Sequence, residues 1–306
     1  MEQIIQHLAI YSEGAVLGFA VGILTGLFGA GGGFIITPAL NVFLGLPMNL
    51  AVGTSACQVL AASSFTFFHN FNKKLPGLRL ALCIASGIPV GVMLGSHVLS
   101  KLKVMPHLTV FGKNLDAVDF ILLLIFTFML FFIFLWMIID TCWLRKNHTE
   151  EDELKHKGLL SSVKLRPMVK CETIPFGQVS MPLLIGIGFF MGFMSGLLGI
   201  GGGVIMMPML YYVIGQQAKY AVRTSVMLIL VSAAFATVIH IWGGNVDYYM
   251  VAFLIPGAFI GSRIGSAIHK KISGKSLRKY FSLVVLAAAV MVLVKVILML
   301  LHSPDA

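Results

Sequence analysis

A duplication constrains this chain more than any other feature. Residues 18–96 and 188–266 carry one pattern at a constant offset of 170 residues, with no gap. Gly18, Gly22 and Gly26 correspond to Gly188, Gly192 and Gly196, and the run Gly29-Ala30-Gly31-Gly32-Gly33 corresponds to Gly199-Ile200-Gly201-Gly202-Gly203. Pro38 pairs with Pro208, Gly45 with Gly215 and Thr54-Ser55 with Thr224-Ser225, while Gly87, Gly91 and Gly95 pair with Gly257, Gly261 and Gly265. Both copies are strongly apolar, and glycines interrupt each at the same place. Duplicated apolar halves with matching breaks mark secondary-transporter architecture, and the breaks point to where cargo binds.

Composition closes off other classes. Of the 306 residues, 58% are hydrophobic and only 11% charged, against about 25% charged in a soluble domain. A soluble globule is excluded. The formal net charge of +10 sits in short loops between apolar runs, so it reads as membrane topology and not as a nucleic-acid surface. The four cysteines, Cys57, Cys83, Cys142 and Cys171, form no C-x-x-C pair and suggest neither disulfide nor metal site. The amino terminus lacks the basic region of a signal peptide, so the first apolar segment is expected to be retained.

Apolar stretches fall near 14–29, 34–44, 50–70, 78–99 and 118–140, then near 181–199, 204–214, 224–242, 249–269 and 281–301. Runs of about 20 residues cross a bilayer as helices. The runs at 34–44 and 204–214 are too short to do so. The polar segment between the halves, with Glu150-Glu151-Asp152-Glu153 beside Lys155 and Lys157, reads as a solvated linker with at most a short surface helix, and its Asn147-His148-Thr149 sequon as chance. The expected organisation is a first transmembrane repeat at 1–140, a polar cytoplasmic linker at 141–180 and a second repeat at 181–306.

The loop at 71–79 carries Lys73, Lys74 and Arg79, whereas its mate at 243–248 carries only Asp247. If basic loops face the cytoplasm, these equivalent loops lie on opposite sides. Each half then has three full crossings plus one glycine-broken re-entrant hairpin, and an odd number of crossings inverts the second half. The fold expected is an all-α polytopic membrane protein of two repeats, inverted on this reading, with parallel repeats the alternative if the short runs are counted differently.

Unpaired backbone groups survive at membrane depth only inside protein or beside a wet cavity. Each glycine costs about 1 kcal/mol relative to alanine in a helix, so two clusters at matching positions suggest a shared purpose. The short helices expected to start at Phe34 and Val204 would present free N–H groups and a positive dipole end, an anion site. The structural alternative is that the glycines only allow tight turns. Pro38 and Pro208 are expected within the first turn, where proline's missing N–H matters least. The runs do not match a Walker loop or a dinucleotide fingerprint.

A second polar group comprises Thr54, Ser55 and Gln58, with Arg223, Thr224 and Ser225 in the other copy. The hydroxyls read as helix N-caps or as ligands reaching the same cavity. Arg223 replaces Gly53 and suits an oxyanion, or snorkels to the interface. Within the predicted spans of the two repeat cores no Asp or Glu occurs, whereas a cation path wants carboxylates. Amide, hydroxyl, imidazole and one guanidinium favour an anion. His69 and His240 end equivalent helices and are the candidates for a proton relay; each is otherwise an interfacial residue. The small-xxx-small ridges at 87–95 and 257–265 read as close helix packing.

At these residues the chain resembles the TauE/SafE family of sulfite exporters. The resemblance rests on Gly26-Leu27-Phe28-Gly29-Ala30-Gly31-Gly32-Gly33-Phe34 with Pro38 and Ala51-Val52-Gly53-Thr54-Ser55, and on Gly196-Leu197-Leu198-Gly199-Ile200-Gly201-Gly202-Gly203 with Pro208 and Ala221-Val222-Arg223-Thr224-Ser225. It covers nearly the whole chain outside the linker and termini. It implies a bacterial inner-membrane permease for sulfite or an organosulfonate, a secondary carrier with proton coupling. The residues themselves supply only the anion preference.

The expected substrate contacts are Gly31, Gly32, Gly33 and Phe34 with Gly201, Gly202, Gly203 and Val204, joined by Thr54, Ser55, Gln58, Arg223, Thr224 and Ser225. No catalytic residue, metal or cofactor is expected, and the partners are a small anion and lipid. The rival readings are an anion channel with the same pore and a non-transporting membrane scaffold.

Overall fold

The structure, a computed structural model, describes residues 2–29, 31–70, 77–104, 108–110, 113–139, 165–170, 178–269, 271–272 and 274–302. The first half holds α1 (Glu2–Phe28), α2 (Gly33–Leu44), α3 (Met48–Asn70), α4 (Leu78–Lys103) and α5 (Ala117–Ile139). The second repeats the order: α6 (Met181–Leu198), α7 (Gly203–Pro208, continued by a π-helical turn Met209–Val213), α8 (Ala218–Trp242), α9 (Tyr248–His269) and α10 (Gly274–His302). Two small antiparallel hairpins are added, β1 (Leu108–Val110) with β2 (Lys113–Leu115), and β3 (Met168–Lys170) with β4 (Gln178–Ser180). The second lies in the described part of the segment read as a linker. The sequon and the acidic run lie outside the described residues.

Eight helices among the described residues are long and apolar enough to cross a membrane. The protein is an all-α polytopic membrane protein. Each half has four such helices and one short one, because the arm leading into each break is itself of spanning length: Tyr11–Phe28 and Met181–Leu198 are 18 residues apiece, about 27 Å at 1.5 Å per residue.

The glycine ridges decide which helices meet. Gly188, Gly192 and Gly196 of α6 lie on the backbone of Ile84, Ile88 and Val92 in α4, and Gly87, Gly91 and Gly95 return the contact against Ile185, Phe189 and Phe193. The same seam joins α1 to α9: Gly18, Gly22 and Gly26 lie on Leu254, Ala258 and Ser262, and Gly257, Gly261 and Gly265 lie on Ala15, Phe19 and Ile23. Numbers rise together on both sides, so each pair is parallel. Without side chains between them the backbones reach van der Waals contact, which is how helices associate where lipid removes the hydrophobic drive. Both seams cross from one repeat to the other. Neither half is a separable body.

At the centre, α3 lies against α8 and the two run antiparallel. Gly53 and Thr54 near the head of α3 adjoin Asn245 and Asp247 just past the tail of α8, and Cys57 adjoins Thr237 one turn further in. Lys103, closing α4, donates a hydrogen bond to Asn245 in the same corner. Phe126, Leu130 and Phe281 of α5 and α10 are buried with α4 and α6 residues in the main core cluster, while the outward faces of α5 and α10 remain apolar and exposed, as at Phe128, Phe132, Leu293 and Leu301. Those faces suit lipid.

Candidate functional site

The two breaks have the same backbone. Gly29, Gly31 and Gly32 have φ of 64°, 72° and 70°, and Gly199, Gly201 and Gly202 have 68°, 62° and 75°. All six lie in the left-handed region, open to glycine and strained for other residues. Glycine is therefore required here by conformation, not only by packing. The chain turns back after each break: Ile36 and Leu40 of α2 share a core cluster with Val21 of α1, alongside Leu17 and Tyr11.

The breaks also meet. A Cβ placed on Gly33 would stand 2.6 Å from Ile200 Cα, so the tip of one hairpin touches the tip of the other through bare backbone. Val59 of α3 and Ile229 of α8 close over them, each lying against both Gly31 and Gly201. The helices begin at Gly33 and Gly203, one residue earlier than expected, with Gly32 and Gly202 as N-caps and no side-chain cap on either. Uncapped helix starts leave first-turn N–H groups without a side-chain partner; of these the Gly203 N–H donates to the Ile200 carbonyl at 3.4 Å. The Phe34 and Val204 amides stand in these first turns, and both side chains are buried.

The prolines are deeper than expected. Pro38 is the sixth residue of α2 and Pro208 the sixth of α7, beyond the first turn, so each removes a bond from the helical ladder. In the second copy the helix opens into the π turn directly after Pro208.

The hydroxyl pairs are not N-caps, because α3 and α8 begin at Met48 and Ala218 and the pairs lie further along, in buried helix. Apolar runs mark what lipid or core covers, and both helices extend past that. Ser55 donates to the Val52 carbonyl (2.8 Å) and to the Gly199 carbonyl (3.1 Å); Ser225 donates to Val222 (2.8 Å) and Gly29 (3.1 Å). Each serine therefore clasps the carbonyl at the start of the other repeat's break. Thr37 of α2 adds a bond to Ser55 at 2.7 Å. Thr54 accepts the Asp247 N–H at 3.0 Å, and Thr224 accepts from the Gln216 amide at 3.0 Å. All four hydroxyls hold the protein's own groups in this conformation.

Three other predicted residues stand differently. Gln58 is fully buried, and among the described residues neither its amide nitrogen nor its amide oxygen has a hydrogen-bond partner. It adjoins Val59, which covers the breaks. His240 is also fully buried, beside Gly53 and close to the Gly196 carbonyl, and among the described residues neither ring nitrogen has a hydrogen-bond partner. Unpartnered buried polar groups are rare enough to need a reason. Arg223 is half-buried on α8, next to Val222, which touches Gly29. The His69 side chain lies outside the described residues.

Sequence reasoning missed the serine clasps and one carboxylate. Asp119 of α5 accepts the Met48 N–H at 2.8 Å and the Asn41 amide at 2.9 Å. Its signal was present, since it is an acidic residue at the head of a long apolar run.

Equivalent glycines differ in their surroundings, and this separates conformation from packing. A Cβ on Gly32 would collide with Val21 and lie 2.5 Å from Thr25 Oγ1, whereas on Gly202 it would meet nothing nearer than 3.5 Å. Gly202→Ala therefore carries only the left-handed backbone penalty of about 1–2 kcal/mol, and Gly32→Ala adds a steric one. Thermal melts in detergent should rank Gly32→Ala well below Gly202→Ala; equal melting temperatures would contradict the packing described.

Comparison with known proteins agrees with this architecture. The family model described as sulfite exporter TauE/SafE matches residues 14–292. YunE of Bacillus subtilis, a "Probable membrane transporter protein", is 28% identical over 269 residues, covering 86% of this chain and 89% of that protein. A "Probable membrane transporter protein" of Methanocaldococcus jannaschii is 29% identical over 290 residues, covering 86% of this chain and 88% of its own. No solved structure matches. With the family match spanning nearly the whole chain and the paired glycine breaks in place, this multi-pass membrane protein belongs to the sulfite exporter TauE/SafE family of membrane transporters.

Proposed function

We propose that the protein is a secondary carrier for a small sulfur-containing oxyanion, sulfite or an organosulfonate, working by alternating access across a bacterial inner membrane. The observation that carries this reading is the meeting of two uncapped, glycine-turned helix starts. Backbone N–H groups at Gly33–Phe34 and Gly203–Val204, with Gly31, Gly32, Gly201 and Gly202 shaping the turns, would hold the oxygen atoms. Arg223 would supply charge, and Gln58 an amide that has no partner among the described residues.

The antiparallel run of α3 and α8, which are equivalent helices, supports inverted repeats in the bilayer. Inversion lets one structure present the same site to either side. The Gly33–Ile200 contact favours a carrier over a channel, because the tips must part before an ion can lie between them. The hydroxyls of Ser55 and Ser225 brace the breaks in this arrangement, while Thr54 and Thr224 accept from the Asp247 N–H and the Gln216 amide; all four would become available to an anion when the two breaks part. His240, buried and unpartnered at the far end of α8, is placed to take part in proton coupling.

The test is flux of radiolabelled sulfite in proteoliposomes. A carrier gives saturable uptake that is accelerated by sulfite on the opposite side. Flux no greater than in protein-free liposomes, with sulfite, thiosulfate and sulfoacetate alike, rejects the reading. Flux without saturation or trans-acceleration would assign a channel instead.

A further inference from the structure

We propose that Asp119 is a reversible proton-binding site whose occupancy is coupled to the position of α2, the helix whose first turn offers the anion-binding amides. The inference rests on the carrier reading and deepens it by naming the group that would link proton and anion.

Asp119 stands in the first turn of α5 and is half-buried. One carboxylate oxygen accepts the N–H of Met48, the first residue of α3, at 2.8 Å; the other accepts the Asn41 amide of α2 at 2.9 Å. A single side chain thus ties α5 to the corner where α2 turns into α3. The same Asn41 nitrogen also donates to the Leu46 carbonyl at 2.8 Å, closing that corner. Asn41 is buried, and its carbonyl oxygen has no partner among the described residues. A neutral serine or asparagine would serve as a helix cap equally well.

Among the described residues the charged groups around Asp119 are few. Asp116, exposed one turn earlier, lies toward the rim, and Lys295 of α10 is the nearby cation. The facing residues of α2 and α3, Asn41 and Met48, do not titrate. Lys101 and Lys103 close α4 at this end, and Lys103 is held by Asn245.

The step balances as one proton taken up. A proton arriving from water at the Asp116 rim adds to the carboxylate oxygen that faces Asn41. One O–H bond forms and the negative charge disappears. Two donors now oppose each other, so the Asn41 N–H bond to Asp119 is lost. The unpartnered Asn41 carbonyl oxygen is the acceptor for the new O–H, and a half-turn of the amide presents it. That turn gives up the bond to Leu46 and loosens the corner, which keeps the Leu46 N–H bond to the Leu40 carbonyl. The motion has a path onward: Thr37, one helical turn before Asn41, bonds Ser55, and Ser55 holds the Gly199 carbonyl at the opposite break.

The test compares Asp119→Asn and Asp119→Glu with wild type. In proteoliposomes, Asp119→Asn is expected to keep exchange of sulfite for sulfite but to lose accumulation driven by a pH gradient, while Asp119→Glu restores it. A purely structural cap would lose both activities together. Gradient-driven accumulation by Asp119→Asn at wild-type level, or equal loss of both activities without rescue by Glu, overturns the proposal. Infrared difference spectra of the purified protein between neutral and acidic pH decide the point without any cargo. Wild type should show the carbonyl stretch of a protonated carboxyl group that Asp119→Asn lacks; if the two spectra match there, Asp119 is no proton site. Absence of sulfite flux in wild type would reject the carrier reading, and the infrared band would still decide Asp119.

Discussion

Gly188→Leu is expected to abolish the folded protein, whereas Gly186→Leu, two residues earlier on the same helix, leaves it intact. A Cβ at Gly188 would stand on the carbonyl oxygen of Ile84, while one at Gly186 meets nothing within 4 Å. Overpacking against side chains typically costs about 1–3 kcal/mol because rotamers give way. Here the obstacle is backbone, and α6 cannot retreat at one rung without leaving the next two, at Gly192 and Gly196. The whole α4–α6 seam would open. A loss beyond about 5 kcal/mol is expected, comparable with the entire margin of many domains. Size-exclusion chromatography in mild detergent, followed by a thermal melt, reads the difference directly. A monodisperse Gly188→Leu protein melting like wild type would mean that α4 and α6 are not packed as described.

That contrast bears on what the sequence could disclose. The ridges at Gly87–Gly95 and Gly257–Gly265 were legible as helix contacts from spacing alone, because only small residues allow backbone approach. Their partners were not. Nothing in a linear pattern says that the ridge of α4 meets the first helix of the other repeat, since that choice is made by three-dimensional packing. The long helices were legible as apolar runs, because crossing length is fixed by bilayer thickness, but three crossings per half was an undercount, since the arm into each break is itself of spanning length. Boundaries slipped where helices outlast their apolar stretch, as at the heads of α3 and α8.

The site was legible in its backbone and less so in its side chains. Glycine clusters at Gly29–Gly33 and Gly199–Gly203 announce left-handed turns by chemistry, and the structure has those turns at matching φ. Ser55 and Ser225 are ambiguous in sequence because a hydroxyl serves a ligand and a carbonyl equally well. Only the approach of the opposite break shows that the carbonyl has them here. Asp119 was hidden for a related reason. It begins an apolar helix, a position where acidic residues are ordinary, and its partners Asn41 and Met48 lie more than seventy residues away.

Exchanging residues between the copies separates structure from function at the one place where they disagree most sharply. Gly53 and Arg223 are equivalent by the 170-residue offset. Gly53 is buried, and a Cβ there would collide with the Asn245 carbonyl and lie 3.1 Å from His240 Cβ. Arg223 is half-buried at the matching point of α8. Gly53→Arg should therefore force the turn between α8 and α9 away from α3, breaking the Thr54–Asp247 and Lys103–Asn245 bonds, and should yield little folded protein. Arg223→Gly should fold, with a helix penalty of about 1 kcal/mol. If Arg223 binds the oxyanion, a charged hydrogen bond of about 1.5–3 kcal/mol is lost, and the KM for sulfite rises roughly ten- to hundredfold. Arg223→Lys should fall between, since an ammonium keeps the charge but loses the two-pronged geometry. Kinetics in proteoliposomes at low and high salt check this, because a charge that attracts the ion is screened by added salt. An unchanged KM in Arg223→Gly would return Arg223 to the membrane interface and leave the backbone amides as the anion's ligands.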